Sequence, residues 1–434
     1  MFNPFDPEVR RNPYPHYAQL REETPVLQMG MWIISSYQDV QFVLKNPQLF
    51  SSEAMAGPQG HAPGVIPSII TMDPPDHMRF RSLVSRAFTP KMIANLEPRI
   101  REITHGLMHA AGRSPEFDLV EKIALPLPVR VIAELLGVEP KRFHDFKRWS
   151  DILVDRMMRP GAPPEQIAYE QAEYNAFTEY FRWAIEDRRK NPSDDLISAL
   201  IQAEEEHQHL TVDDIFAFAG LLLVAGNETT TNLIGNMVLA LLRSPEQLAK
   251  LVADPSLIPS AVEEALRYDS PVQILFRFAR QDIDLGGYTI PKGAMVWPVL
   301  GSANHDETKF ADPERFDITR DASGHVAFGS GIHFCIGAPL ARLESRIAME
   351  EMLPHLAAMK LPERPLEYID AFFLRGVKRL PVLLPEPAMA SMPPSPMELA
   401  KLIRASGTAL AKESYAGVKT LLRRGLRRGD IGIL

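Results

Sequence analysis

Cysteine is nearly absent. Cys335 is the one thiol in 434 residues, which excludes an internal disulfide, a multi-cysteine zinc site and an iron–sulfur cluster held by the chain, because each needs several thiolates. Long apolar runs are also missing. The most apolar stretch, Ile215 to Leu242, is interrupted by Glu228 and carries Asn227, Asn232 and Asn236, so the roughly 18 clean apolar residues of a membrane span are not found. The first residues, Met1-Phe2-Asn3-Pro4-Phe5, lack a basic region followed by an apolar one, so no secretory leader is expected and the expected location is cytoplasmic. A surplus of positive charge is absent too: the net charge is -8, which gives no footprint for nucleic acid. No repeat of solenoid or propeller length occurs, and the nearest approach to a nucleotide-binding loop, Gly329-Ser330-Gly331, lacks its third glycine.

What is present is a hydrophobic fraction of 45% and a charged fraction of 24%, enough apolar surface for a large core. Apolar residues recur three and four apart over Tyr37–Leu44, Met92–Met108, Pro128–Leu136, Ala172–Arg188, Leu196–Glu205 and Ala338–Leu356, predicting a mainly α protein. Short strand signals at Val26-Leu27, Trp32–Ile34, Asp284–Ile290, Met295–Leu300 and Arg379–Leu384 predict small β-sheets beside the helices. Residues 386–396 contain Pro387, Pro393, Pro394 and Pro396 and read as a linker. Residues 1–385 then form one body, and 397–434 a basic helical extension about five charges positive, against a body about thirteen negative.

Four segments carry chemistry. Cys335 lies in the glycine-studded turn Phe328-x-x-Gly331-x-His333-x-Cys335-x-Gly337, just before a helix that begins near Pro339. A helix N-terminus stabilises anionic sulfur, either as a metal ligand or as a nucleophile. A nucleophile needs a histidine base, and His333, two residues away, need not face the sulfur. The bland reading is a buried, inert cysteine. Ala225-Gly226-Asn227-Glu228-Thr229-Thr230 lies within a long helix that starts near Thr211, where Thr211-x-x-Asp214 can form a capping box. Gly226 leaves room beside the backbone, and Glu228 and Thr229 place an acid and a hydroxyl together; the structural alternative has Thr229 bonding back to the carbonyl four residues earlier. Glu264-x-x-Arg267 pairs acid and base at a spacing of three, in a helix Ser260 can cap, with Glu263 as a competitor for Arg267. In Asp73-Pro74-Pro75-Asp76-His77-x-x-x-Arg81, His77 and Arg81 share a helical face and can bind carboxylates together.

Taken in this order and spacing, the four segments resemble the cytochrome P450 family over roughly residues 10 to 385. The resemblance implies a mainly α fold with small sheets, haem b lying between the long central helix and the cysteine loop, and Cys335 as axial iron ligand. It implies that Phe328 and Gly337 of the loop bind the haem, and that His77, Arg81, Arg277 and His333 contact its propionates. Thr229 and Glu228 would move protons during dioxygen activation, with Ala225 and Gly226 lining the oxygen pocket. Glu264, Arg267 and Arg315 would form a buried structural triad. Leu222, Leu223, Ile274, Leu275, Phe372 and Phe373, with Met55 to Ile70, would surround a lipophilic substrate.

The implied reaction inserts one atom of dioxygen into a C–H bond or adds it to a C=C bond, the other atom leaving as water. No flavin or nicotinamide motif is present, so electrons from NAD(P)H would arrive through a ferredoxin and its reductase, or a flavodoxin-type donor. Three alternatives stand beside this: a haem-thiolate enzyme of another reaction such as oxidative coupling, which does not need the acid–threonine pair; a haem-based sensor with the extension as its output; and a cysteine hydrolase.

Overall fold

Helices dominate the computed structural model, which describes residues 2–53, 69–158, 163–207 and 211–385. The linker 386–396, the extension 397–434 and most of the Met55–Ile70 segment lie outside the described residues. The helices are α1 (Pro7–Arg11), α2 (Tyr14–Glu23), α3 (Tyr37–Lys45), α4 (Asp76–Ala87), α5 (Pro90–Asn95), α6 (Glu97–Ala111), α7 (Pro126–Leu135), α8 (Phe143–Met158), α9 (Pro164–Lys190), α10 (Leu196–His207), α11 (Val212–Arg243), α12 (Pro245–Ala253), α13 (Ile258–Tyr268), α14 (Leu300–Ala303) and α15 (Ala338–Leu356). The strands are β1 (Val26–Gln28), β2 (Trp32–Ile34), β3 (Phe50–Ser51), β4 (Glu116–Asp118), β5 (Arg277–Ala279), β6 (Ile283–Leu285), β7 (Tyr288–Ile290), β8 (Met295–Pro298) and β9 (Pro381–Leu383). The periodicity over Met92–Met108 covers two helices rather than one, because the chain breaks at Leu96 before Pro98 in the first turn of α6.

The architecture is organised around α11. Thr211 caps it: its hydroxyl accepts from Asp214 N–H at 3.1 Å, while the Asp214 carboxylate accepts from Thr211 N–H at 2.9 Å. From this box α11 runs 32 residues, about 48 Å, to a stop at Ser244 before Pro245. It packs against α7 to α10, α12, α13 and α15, which is why its C-terminal half, Thr230 to Leu241, is buried on every face. Gly226 lets α7 come close, since a Cβ there would lie 2.7 Å from Ile132 Cδ1.

The sheets lie beside this helical body. The larger has the order β1-β2-β8-β5-β3, with β2 and β8 parallel and the other pairs antiparallel. β3 and β5 were not foreseen as strands; pairing of Ser51 with Phe278 brings the end of β3 beside Arg277. β9 pairs with β4, and β6 with β7.

Two consecutive acids on α13 support the cysteine loop. Glu264 and Arg267, both fully buried, form a two-pronged pair at 2.8 and 2.9 Å. Arg267 also donates to the carbonyls of Asn304, Pro313 and Arg315. The third member of this group is Arg320, not Arg315. Arg320 Nε reaches Glu264 at 3.3 Å, and its other nitrogens bind the carbonyls of Ala311, Asp312 and Arg315. The turn at Asp312, with φ +48°, leaves Arg315 exposed, so that residue joins through its backbone alone. Ser260 is not the cap: α13 begins at Ile258 and the Ser260 hydroxyl donates to Ile318 O. Glu263 does not compete for Arg267 but pairs with Arg342 and His325. Arg320→Ala is expected to destabilise the fold by about 2 kcal/mol through loss of a charged hydrogen bond to a buried carboxylate, and Arg315→Ala by about 0.5 kcal/mol or less. Urea unfolding of both variants checks this.

On α15, Glu344 is 1% exposed and its Oε2 has no partner. Burial pushes its carboxyl up to about 8. In the unfolded chain this acid ionises near its ordinary value, so between that value and pH 8 the folded state holds the extra proton and stability falls as pH rises. From about pH 4.5 to pH 7 this single group is expected to remove about 3 kcal/mol, to be seen as a smaller pH slope of the unfolding midpoint in Glu344→Gln than in the parent.

Candidate active site

The cysteine loop is held at both ends by α13. His325, ahead of the loop, and Arg342, behind it, converge on the Glu263 carboxylate at 3.1 Å and at 2.6 and 2.8 Å. Burial opposes ionisation of Glu263, but Arg342 and His325 hold its carboxyl down at about 2. Within the loop, Cys335 N–H donates to Phe328 O at 3.0 Å, and the Arg342 guanidinium lies 4.7 Å over the Phe328 ring. Gly331, with φ +71°, presses the loop onto the end of α3, where a Cβ would come within 2.5 Å of Leu44 O.

The sulfur feels opposed influences. Burial raises the thiol pKa, while hydrogen bonds from the Gly337 and Ala338 amides and the charges of Arg81 and Arg342 lower it. The helix terminus does act as the sequence implied, yet desolvation wins and the net direction is up. Cys335 is nonetheless exposed as a residue.

Beside it lie two arginines and two histidines. Arg81 Nη2 donates to Phe334 O at 2.6 Å. The rings of His77 and His333 meet at a tilt with centroids 4.3 Å apart, and the buried Arg277 on β5 acts electrostatically on both. Both ring nitrogens of buried His77 lack partners. Burial lowers His77, with Arg81 adding to it, and burial brings Arg277 down to about 10. Burial and the charge of Arg277 push His333 down to about 3. The carboxylate at this cluster among the described residues is Asp73. Burial alone would raise it, but hydrogen bonds from Ser51 and Ser52 and the Arg280 guanidinium hold it below the usual range. With Asp73 so engaged, the orphaned histidine and the buried arginine suit two further negative charges next to the sulfur. A dicarboxylate group with a metal for the thiolate, as in haem, fits this donor set. Ser52 joins the cluster by its hydroxyl, 3.1 Å from His333 Nε2. Neither its role nor that of Asp73 or Arg280 carried a signal in the sequence, because β3–β5 pairing brings Ser52 near Arg280, and both then bind Asp73.

On α11, buried turns flank an accessible stripe of Leu221, Val224, Ala225, Glu228 and Thr229. These are spaced three and four apart, so counting back from Thr229 would have found Leu221 and Val224. Thr229 Oγ1 donates to Ala225 O at 2.6 Å, the back-bond of the structural alternative, which holds the hydroxyl oxygen on the open face. Gly226 instead faces Ile132 of α7, so its missing side chain serves helix packing rather than an open pocket.

The expected substrate contacts are distributed differently. Leu222, Leu223 and Ile274 are buried in the core, and Leu275 packs against both the sheet cluster and Gly329. Phe372 stacks on Trp297 at 5.1 Å and meets Phe5 at 5.0 Å, while Phe373 sits between Phe276 and Phe372. That aromatic cluster follows from Arg375, which binds Asp269 and the carbonyls of Arg10 and Arg11, drawing the C-terminal segment onto the N-terminal helices.

Residues 165–383 match the family model for cytochrome P450. Cytochrome P450 107B1 of Saccharopolyspora erythraea is 43% identical over 87% of this chain and 96% of its own length. Vitamin D(3) 25-hydroxylase of Pseudonocardia autotrophica is also 43% identical, over 86% and 94%. Among solved structures, cytochrome P450 CYP109Q5 from Chondromyces apiculatus superposes with a TM-score of 0.81 at 43% identity, covering 88% of this chain and 98% of that one. CYP109E1 from Bacillus megaterium in complex with testosterone gives 0.79 at 39%, covering 86% and 99%. No helix among the described residues is long and apolar enough to cross a membrane. With this likeness running through both the cysteine loop and the long central helix, the chain belongs to the cytochrome P450 family: a haem-thiolate monooxygenase that carries haem b and takes its electrons from redox partners.

Proposed function

We propose that this enzyme oxygenates a neutral, lipophilic molecule of steroid or macrocycle size. The accessible stripe on α11 carries this reading. Leu221, Val224 and Ala225 offer hydrocarbon to the substrate, and Glu228 is the one charged side chain of the stripe, so nothing on that face pairs with an anionic substrate. The vitamin D3 hydroxylase and the testosterone-bound relative support the same class.

Cys335 would hold haem through its thiolate, and the bound group would supply activation of dioxygen, with the electron-rich sulfur favouring O–O cleavage. Each turnover takes up substrate, dioxygen, two electrons and two protons, and releases oxygenated product and water. His77, Arg81, Arg277 and His333 would hold the propionates, a reading supported by the charges of Arg81 and Arg277 and by the orphaned His77 nitrogens. Thr229, held by its bond to Ala225 O, presents its oxygen to the reacting side, and Glu228 renews the proton there. A ferredoxin with its NAD(P)H-dependent reductase, or a flavodoxin-type donor, brings the electrons, in keeping with a cytoplasmic location. We propose that this donor docks over a hollow of about 260 Å³ beside the first turns of α15, lined by Val262, Glu263, Pro339, Leu343 and the ion-paired Arg342 and Arg346.

The dithionite-reduced protein with carbon monoxide is expected to show the strongly red-shifted Soret band of thiolate ligation, and Cys335→Ala to lose it. A band typical of neutral ligation in the parent would overturn the assignment. Thr229→Ala should retain that band while product formed per NAD(P)H falls by roughly tenfold or more and peroxide rises; unchanged coupling would remove Thr229 from the proton route.

A further inference from the structure

Asn227, inside the acid–threonine segment, is 1% exposed and has no part in the chemistry above. Its Nδ2 donates to Ser150 Oγ of α8 at 2.9 Å, and that hydroxyl donates in turn to Leu223 O at 3.3 Å. Leu223 O is also the regular helical acceptor, four residues back, for Asn227 N–H. Asn227 side chain, Ser150 hydroxyl and Leu223 carbonyl thus close a circuit between two helices, with Ser150 fully buried. One turn on, Thr231 donates to Ala124 O at 3.2 Å, so the same ridge of α11 is tethered again.

Stability alone does not account for asparagine here. Asn227 Oδ1 is buried without a donor, a liability that a leucine of similar volume would avoid. Successive residues turn by about 100° around a helix, which puts Asn227 nearly opposite Thr229. A sideways hold on Asn227 therefore sets the angle at which Thr229 and Glu228 meet the open side.

We infer that Ser150 and Asn227 are positioning residues for oxygen activation, their hydrogen-bonded circuit fixing the rotation of the turn that bears Glu228 and Thr229. This rests on the proton-delivery role proposed above for that pair.

The test uses full-length haem-loaded protein with a ferredoxin, its reductase and NADPH. The readout is the ratio of peroxide to water formed from dioxygen without added substrate, so no ligand identity is needed. Asn227→Leu and Ser150→Ala should each raise that ratio by roughly two- to tenfold, the range set by one ordinary hydrogen bond. The double variant should add little to either, because both act through one circuit. Ser150→Thr, which keeps the hydroxyl, should behave as the parent, and amide exchange over residues 221–231 should quicken only in the first two variants. Parent-like ratios in both single variants that retain the carbon monoxide band, or effects that add fully in the double variant, would overturn the inference. If Asn227→Leu fails to take up haem, Ser150→Ala against Ser150→Thr decides it. A parent without the band or without dioxygen consumption would instead overturn the function reading itself.

Discussion

The guanidinium of Arg267 has five N–H donors, and all five are used inside the protein: two on Glu264 and one each on the carbonyls of Asn304, Pro313 and Arg315. A buried arginine is tolerable only when its charge and every donor are matched, so the backbone around it has little freedom to shift. Asn304 passes the constraint on, since its Oδ1 accepts from Val326 N–H at 2.7 Å and its Nδ2 donates to Ser270. Val326 stands two residues before Phe328, whose carbonyl holds Cys335. Hydrogen bonds and the short stretch from Val326 to Phe328 thus link the α13 ion pair to the backbone of Cys335, and Glu263 fastens the loop again through His325 and Arg342.

That rigidity matters because the site concentrates unfavourable electrostatics. Desolvation disfavours the thiolate, the charge of Arg277 and the protonated forms of His77 and His333. A mobile loop would relieve these costs by letting water in. The anchored loop keeps cationic groups and sulfur together, where an anionic cofactor with a metal centre satisfies both. Haem binding and folding stability are therefore coupled, with the bound group supplying the counter-charge that the chain alone withholds.

α11 answers to two demands at once. Its C-terminal half is apolar on all sides because neighbours surround it, whereas the turn from Leu221 to Thr229 must leave one face open and remain straight enough to carry a hydroxyl and an acid. Tethers on the other faces reconcile the two: Ile132 over Gly226, Ser150 on Asn227 and Ala124 on Thr231.

By itself the sequence determined the helical class, the cap and length of α11, the loop around Cys335 and the pairing of Glu264 with Arg267. Each rests on residues within a few turns of one another, where spacing alone dictates which side chains meet. The likeness of four such segments to one family carried the haem and its reaction. Tertiary structure decided what depends on distant chain segments. Arg320 took the place expected of Arg315 because a turn at Asp312 points the nearer arginine outward, and Phe372 joined the N-terminal aromatic cluster because Arg375 binds Asp269. Ser52 and Arg280 came to the histidine cluster through pairing of β3 with β5, where both bind Asp73. Local periodicity cannot specify such meetings, since they are settled by which buried charges and backbone donors find partners when the whole chain packs.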